Sequence, residues 1–200
     1  MLNARSRTVG GIGLALVAVV VARPAVPRAQ PGGALQSATV AWDTTLARGT
    51  TRDVAFTTTE GTWMSVDLSP DGQWIVFDLL GHVYRVPSAG GEAQCLTAAS
   101  GVAMNFQPRI APDGRSIAFI SDRSGQNNLW LMNADGSAPR AVFTNKDVRA
   151  AEPAWTPDGR FLIVRRQDVK PGSTAGSGLW MFSVDGGEGV ELVGRDHRQA

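Results

Sequence analysis

The sequence predicts an all-β fold: a partial β-propeller of three four-stranded antiparallel blades of about 42 residues each, after an N-terminal signal peptide. The main observation is a turn that occurs three times, as Ser-Pro-Asp-Gly at 69–72, Ala-Pro-Asp-Gly at 111–114 and Thr-Pro-Asp-Gly at 156–159. The copies are 42 and 45 residues apart, and each is followed by the same succession of apolar runs and Gly-rich turns. A repeat of this length with four short strands has the size of one propeller blade.

The second repeat shows the four strands most clearly, because its apolar runs are rich in β-forming residues and are separated by polar loops. Its predicted strands are 106–110, 116–120, 129–132 and 140–143. The other repeats align with it, and the third strands share an aromatic residue at their second position. These aromatic residues are Tyr84, Trp130 and Trp180. The predicted blades span about 62–97, 104–144 and 152–193.

The repeated turn has a chemical explanation. Pro fixes φ near −65° and suits the first central position of a type I turn. Asp bonds a nearby backbone N–H, and Gly supplies the left-handed residue that returns the chain to the sheet. Ser69 and Thr156 add a hydroxyl cap that Ala111 lacks. Because one acid per blade cannot gather the six to eight oxygens that calcium prefers, we expect these Asp residues to be structural.

The N-terminal residues have the parts of a secretory signal, which we place at 1–29. Arg5 and Arg7 precede an uncharged run at 9–22, which is shorter than the roughly 20 residues of a stable membrane span. We predict cleavage after Ala29, with cleavage after Ala22 or a short uncleaved anchor as alternatives. Residues 30–50 then form a linker and 51–200 the partial propeller, so the protein is expected to be exported, either periplasmic or secreted.

Composition excludes some classes of function. Apolar residues are 43% of the chain and charged residues 18%, so the chain can bury a core. The formal net charge of +1 gives no basic face, so we expect no nucleic-acid partner. Cys95 is the only cysteine, so the chain has no internal disulfide, and we expect Cys95 to be a small buried apolar residue.

Several segments together resemble the N-terminal propeller of bacterial exported amidohydrolases, in which a TolB-like propeller precedes a metal-dependent amidohydrolase barrel. The resemblance runs from about residue 39 to 193. The segments that carry it are Glu-Gly-Thr-Trp-Met-Ser-Val-Asp-Leu at 60–68, Phe-Asp-Leu-Leu-Gly at 77–81, Gly-Gly-Glu-Ala at 90–93, Gln-Pro-Arg at 107–109, Ser-Asp-Arg-Ser-Gly at 121–125 and Asn-Leu-Trp at 128–130.

The resemblance implies a non-catalytic accessory domain whose chemistry is supplied by residues outside this chain. The family's barrel uses a His-x-His pair, further His residues and an Asp, whereas this chain has only His82 and His197, in unrelated contexts. We therefore assign no catalytic, cofactor or metal residue here and expect a divalent metal only in a separate catalytic domain. Two alternatives stay open: a stand-alone TolB-like periplasmic protein-binding module, and the propeller of a prolyl-oligopeptidase-type serine peptidase. In the chain, Ser177 lies between two glycines but lacks the strand-to-helix setting of a hydrolase nucleophile.

The first strands of a propeller line its channel, which makes Gln107, Arg109 and Glu152 the polar candidates there. The alternative is that these side chains are solvated or pair with one another. Binding is expected on the loop face, which carries the second connection of each blade and the links between blades.

Three blades cannot close a ring, because propellers have four to eight. We therefore expect the partners to be the remaining blades and a C-terminal domain or a protein partner, and expect marginal folding for the chain alone. The alternating residues 51–58 could supply the outer strand of the last blade.

Overall fold

Twelve short strands and one turn of 3₁₀ helix form the regular structure of the residues that the computed structural model describes, which are 43–52, 54–170 and 177–194. The first sheet comprises β1 (Val66–Leu68), β2 (Trp74–Leu79), β3 (His82–Pro87) and β4 (Gln94–Cys95), and is followed by the 3₁₀ turn Ala98–Ser100. The second comprises β5 (Asn105–Ile110), β6 (Ser116–Ser121), β7 (Asn128–Asn133) and β8 (Arg140–Ala141). The third comprises β9 (Val148–Trp155), β10 (Phe161–Asp168), β11 (Ser177–Ser183) and β12 (Val190–Val193).

Each sheet is an antiparallel meander in which consecutive strands pair side by side. This confirms the predicted all-β partial propeller with three four-stranded sheets. The proposed signal peptide at 1–29 lies outside the described residues.

The repeated turn joins the first two strands of every sheet and has the predicted chemistry. The N–H of the turn glycine donates to the carbonyl three residues earlier at 2.8–2.9 Å in all three copies. The glycines, Gly72, Gly114 and Gly159, have φ of +70°, +71° and +68°. The hydroxyls of Ser69 and Thr156 accept the backbone N–H of the first residue of the next strand, which is Trp74 at 3.0 Å and Phe161 at 3.1 Å.

The sheets stack so that the first strand of each packs against the preceding sheet. Strand β5 packs against β1, β2 and β3, and β9 packs against β5, β6 and β7. Two cores result. The core between the first and second sheets contains Trp74, Val76, Val83, Leu96, Ile110, Ile117, Phe119 and Met132. The core between the second and third contains Ala118, Ile120, Leu129, Leu131, Val142, Ala150, Leu162, Val164 and Phe182.

Strand alternation gives every sheet two apolar faces. We call the face toward the preceding sheet the leading face and the face toward the following sheet the trailing face. The leading faces carry Ile75, Phe77 and Tyr84 in the first sheet, Ile117, Phe119 and Trp130 in the second, and Leu162, Val164 and Trp180 in the third. The trailing faces carry Val76 and Val83, then Ala118, Leu129 and Leu131, then Ile163, Leu179 and Met181. Sheet two is buried on both faces, which explains why β6 is an unbroken apolar run between its two serines.

The segment proposed as a closing strand is not a strand in this structure. Its described residues, 51–52 and 54–58, have no regular structure, and Val54 and Phe56 are exposed. Its role in a last blade stays a prediction. In the part of the chain that the structure describes, no helix has the length and apolar character needed to cross a membrane.

Candidate binding site at the inner strands

Gln107 and Glu152 occupy the same place in the first strands of the second and third sheets. Both have a left-handed backbone, with φ of +53° and +57°, and each precedes a buried proline. The pairing of β5 with β6 and of β9 with β10 shifts register around these residues, as in a β-bulge. A left-handed non-glycine residue costs about 1–3 kcal/mol, so the surrounding contacts must hold it in place.

Those contacts form a relay of side-chain acceptors from sheet to sheet. Asp78 Oδ2 accepts the backbone N–H of Gln107 at 2.6 Å, and Gln107 Oε1 accepts the backbone N–H of Glu152 at 2.7 Å. The N–H groups of both bulged residues therefore find acceptors on the preceding sheet. We call Asp78, Gln107 and Glu152 the inner-strand relay.

Asp78 anchors the relay from within the first sheet. Its side chain is 8% exposed, and Oδ1 also accepts the N–H of Ser65 at 2.8 Å. Asp67 makes a parallel link, because its Oδ2 accepts the N–H of Ile110 at 2.8 Å. Neither acid was predicted from the sequence to be an acceptor, although an acid within the apolar strand β2 often indicates one that is buried and hydrogen-bonded.

Arg109 does not join the relay. Its Nη1 donates to the carbonyl of the adjacent Pro108 at 2.8 Å, and its own carbonyl accepts Trp155 Nε1 at 3.0 Å. The carboxylate of Glu152 instead forms a two-point ion pair with Arg165, with both N–O distances at 3.1 Å. Both side chains of this pair are exposed by two fifths or more, so the pair contributes little to stability. The structure thus brings Gln107 and Glu152 together and leaves Arg109 apart, while their place in a channel stays a prediction.

A cavity of about 450 Å³ lies beside the relay, between the first and second sheets. Its walls include Trp63, Leu80, Met104 and the relay residues Asp78 and Gln107. The indole of Trp63 is fully exposed, and Leu80 and Met104 are exposed as well. Since both oxygens of Asp78 already accept backbone N–H groups, this cavity offers a ligand mainly apolar contact. The turn between β2 and β3 borders it, which places it on the predicted loop face.

His82, Cys95 and Ser177 lie in the sheets and outside the inner-strand relay. His82 is half-buried with Nδ1 3.2 Å from Thr97 Oγ1, and Cys95 is a free thiol that is only partly buried, contrary to the expected core position. Cys95 pairs with Tyr84 and so lies on the leading face of the first sheet, which no described sheet covers. Ser177 begins β11, and His197 lies outside the described residues.

The turn acids are structural and do not form a metal site with other described residues. Among residues 43–52, 54–170 and 177–194, no group of three or more His, Cys, Asp or Glu side chains could hold a metal ion. The turn acids bond within their own turns instead. The Thr156 hydroxyl and Arg160 lower the pKa of Asp158 to about 2, and the Ser69 hydroxyl and the Gln73 N–H lower the pKa of Asp71.

Three meanders stacked through their first strands define this chain as a β-propeller segment. A family model described as the TolB beta propeller domain matches residues 43–177, more than half of the chain, so the chain belongs to that family.

TolB proteins and peptidases are among the relatives of this chain. The chain is 27% identical over 175 residues to the Tol-Pal system protein TolB of Francisella tularensis, covering 62% of this chain and 39% of that protein. It is 31% identical over 95 residues to Tricorn protease homolog 1 of Streptomyces coelicolor, and 41% identical over 58 residues to the uncharacterized peptidase YuxL of Bacillus subtilis. These matches cover 48% and 28% of this chain and 9% of each relative. The chain therefore spans well under half the length of these relatives.

Solved structures show the same fold. TolB of Acinetobacter baumannii matches with a TM-score of 0.54 and 20% identity, over 68% of this chain and 34% of that chain. Puromycin hydrolase matches with a TM-score of 0.51 and 18% identity, over 66% of this chain and 22% of that chain. At these identities the likeness concerns the fold alone.

Proposed function

We propose that the chain is a non-catalytic propeller segment of an exported protein and that its first partners are further blades of the same ring. The proposal rests on one observation: the uncovered faces at the two ends of the stack carry apolar side chains at the same positions as the faces that are covered by a neighbouring sheet. The leading face of the first sheet presents Ile75, Phe77 and Tyr84 at the positions that Ile117, Phe119 and Trp130 fill against a neighbour in the second.

The two open faces retain the apolar character of an interface. On the leading side Val66 is 60% exposed, and Phe77 stacks on Tyr84 with ring centroids 5.5 Å apart. On the trailing side of the third sheet Leu179 is 42% exposed, whereas its counterpart Leu129 is fully buried. Burying such surface is worth about 25 cal/mol per Å² of apolar area, which favours a further sheet on each side.

The parent protein is proposed to be a metal-dependent amidohydrolase, with the divalent metal and the C–N bond hydrolysis in a separate barrel. This proposal rests on the resemblance at 60–68 and 77–81. The TolB relatives support a stand-alone periplasmic protein-binding module instead, and the peptidase relatives support a prolyl-oligopeptidase-type serine peptidase. In each case the protein is exported, as the pattern at 1–29 indicates.

The DNA sequence downstream of this chain distinguishes the three proposed parent proteins. Reading in frame beyond the codon for Ala200 should reveal further Pro-Asp-Gly repeats. A His-x-His barrel after them selects the amidohydrolase, a stop codon after six blades selects the binding module, and a Gly-x-Ser-x-Gly strand-to-helix turn selects the peptidase. An immediate stop codon contradicts the proposal that the ring is completed by the same chain.

Cys95 provides a physical test, because it is the only thiol in this chain and lies on the open leading face. We expect the 200-residue chain to react readily with a thiol reagent and the whole gene product to react at least about tenfold more slowly at this residue, with Cys95→Ser as the blank. Equal labelling rates in the two proteins would mean that no further blade covers the face.

A further inference from the structure

A second cavity, of about 750 Å³, runs along the rim between the second and third sheets. We call it the rim groove. It extends from the link after β8 to the turn between β11 and β12, and it does not include the inner-strand relay. Its principal lining side chains are Phe143, Asn145, Arg166, Trp180, Phe182 and Glu188. A volume of this size is within the range of about 300–1,000 Å³ that ligand pockets occupy.

One wall of the rim groove is a continuous aromatic surface. Phe143 of the second sheet stacks on Phe182 of the third with ring centroids 4.4 Å apart, and Phe182 stacks on Trp180 at 6.5 Å. Arg166 extends this surface, since its guanidinium carbon lies 3.9 Å from the centre of the Trp180 ring. The stack fixes the plane of the guanidinium and leaves its edges to hydrogen bonding.

One donor of Arg166 has no acceptor within the residues that the structure describes. Its Nε is buried without an acceptor there, as is Trp180 Nε1. The second sheet provides a direct comparison, because Arg123 stacks on Trp130, the counterpart of Trp180, at 4.8 Å. Arg123 is satisfied within the protein: Nε donates to Ser121 Oγ at 3.0 Å and Nη2 to Asn105 Oδ1 at 2.7 Å.

We propose that the rim groove binds a peptide segment that carries a carboxylate beside an aromatic side chain. Arg166 holds the carboxylate, because a planar guanidinium presents paired N–H groups that match two carboxylate oxygens. The aromatic side chain lies against Phe143, which is the partly exposed member of the stack, whereas Phe182 is buried behind it. Glu188 lines the groove and Glu191 lies opposite Trp180 on β12, so these acids limit the site to one carboxylate and favour a ligand with a positive or neutral group beyond it.

The test uses the full 200-residue chain and two small probes, N-acetylphenylalanine and N-acetylphenylalaninamide, which differ only in the carboxylate. The indole N–H signal of Trp180, assigned with Trp180→Phe, reports binding in two-dimensional NMR spectra. We expect a saturable shift with the acid and an affinity at least about tenfold lower for the amide, as for loss of a charge-assisted hydrogen bond.

Two matched variants complete the experiment. Arg166→Gln should weaken binding of the acid at least about tenfold. Arg165→Gln changes the adjacent arginine, which is paired with Glu152 on the opposite face of the strand, and should leave the affinity unchanged. The proposal is overturned if acid and amide bind equally, if neither gives a saturable shift, or if the two variants lose affinity to the same degree. The comparison of the two probes stands even if Arg166→Gln fails to fold.

Discussion

Replacing Asp78 with asparagine should destabilise the contact between the first two sheets. The side chain keeps its shape, but one carboxylate oxygen becomes an NH₂ group that faces the N–H of either Ser65 or Gln107, which lie 2.8 and 2.6 Å from the present oxygens. A hydrogen bond to a charged group contributes about 1.5–3 kcal/mol, and the surviving bond loses its charge. We expect the free energy of unfolding to fall by about 3 kcal/mol.

Urea unfolding followed by tryptophan fluorescence measures this loss. With a slope near 2 kcal/mol per molar urea, the midpoint should fall by about 1.5 M. Asp135→Asn is the matched control, since Asp135 accepts the N–H of Ser137 at 2.9 Å in an exposed turn and its replacement should leave the midpoint nearly unchanged. Amide exchange at Gln107 should also accelerate in Asp78→Asn. A midpoint no lower than that of the control, with unchanged exchange at Gln107, would refute the role assigned to the relay.

Three further predictions concern the core and the turns. Phe182→Ala removes a side chain that is 1% exposed. Thermal or urea unfolding should show that the free energy of unfolding falls by about 3–5 kcal/mol, and an unchanged midpoint would contradict the packing described. Asp158 has a pKa of about 2, below its ordinary 3.8, chiefly because the Thr156 hydroxyl bonds it, so its stabilising contribution is present above about pH 4 and is lost as the pH falls toward 2. The melting temperatures of the wild type and Asp158→Asn should therefore converge over that interval, and a constant difference would argue against the assignment. Gly136→Ala places a Cβ 2.7 Å from the Leu96 carbonyl oxygen at a φ of +86°. Differential scanning calorimetry should show that the free energy of unfolding falls by about 2 kcal/mol, and no change would mean that the turn moves to make room for the methyl group.

The blades were predictable from the sequence because their determinants are local. The Pro-Asp-Gly turn fixes where two strands meet, and the unbroken apolar runs around Ile117 and Trp130 indicate a sheet that is buried on both faces. The acceptor role of Asp78 was not predictable, because its partner Gln107 is 29 residues further along the chain and its N–H is free only at a bulge. Likewise, the bond from Arg123 to Asn105, which lies 18 residues earlier in the chain, is not encoded by any local pattern. The partial exposure of Cys95 depends on what covers its sheet, which no local pattern encodes.

The equivalence of the leading faces has a consequence for how such proteins change over evolutionary time. A duplicated stretch of about 42 residues brings a sheet whose two sides already fit both of its new neighbours, so no interface has to be reinvented. The loss of one stretch leaves an equally compatible junction. The number of blades can therefore change by unequal recombination without a new kind of interface. Features particular to one pair of blades, such as the aromatic stack beside Arg166, would then distinguish that pair from the others.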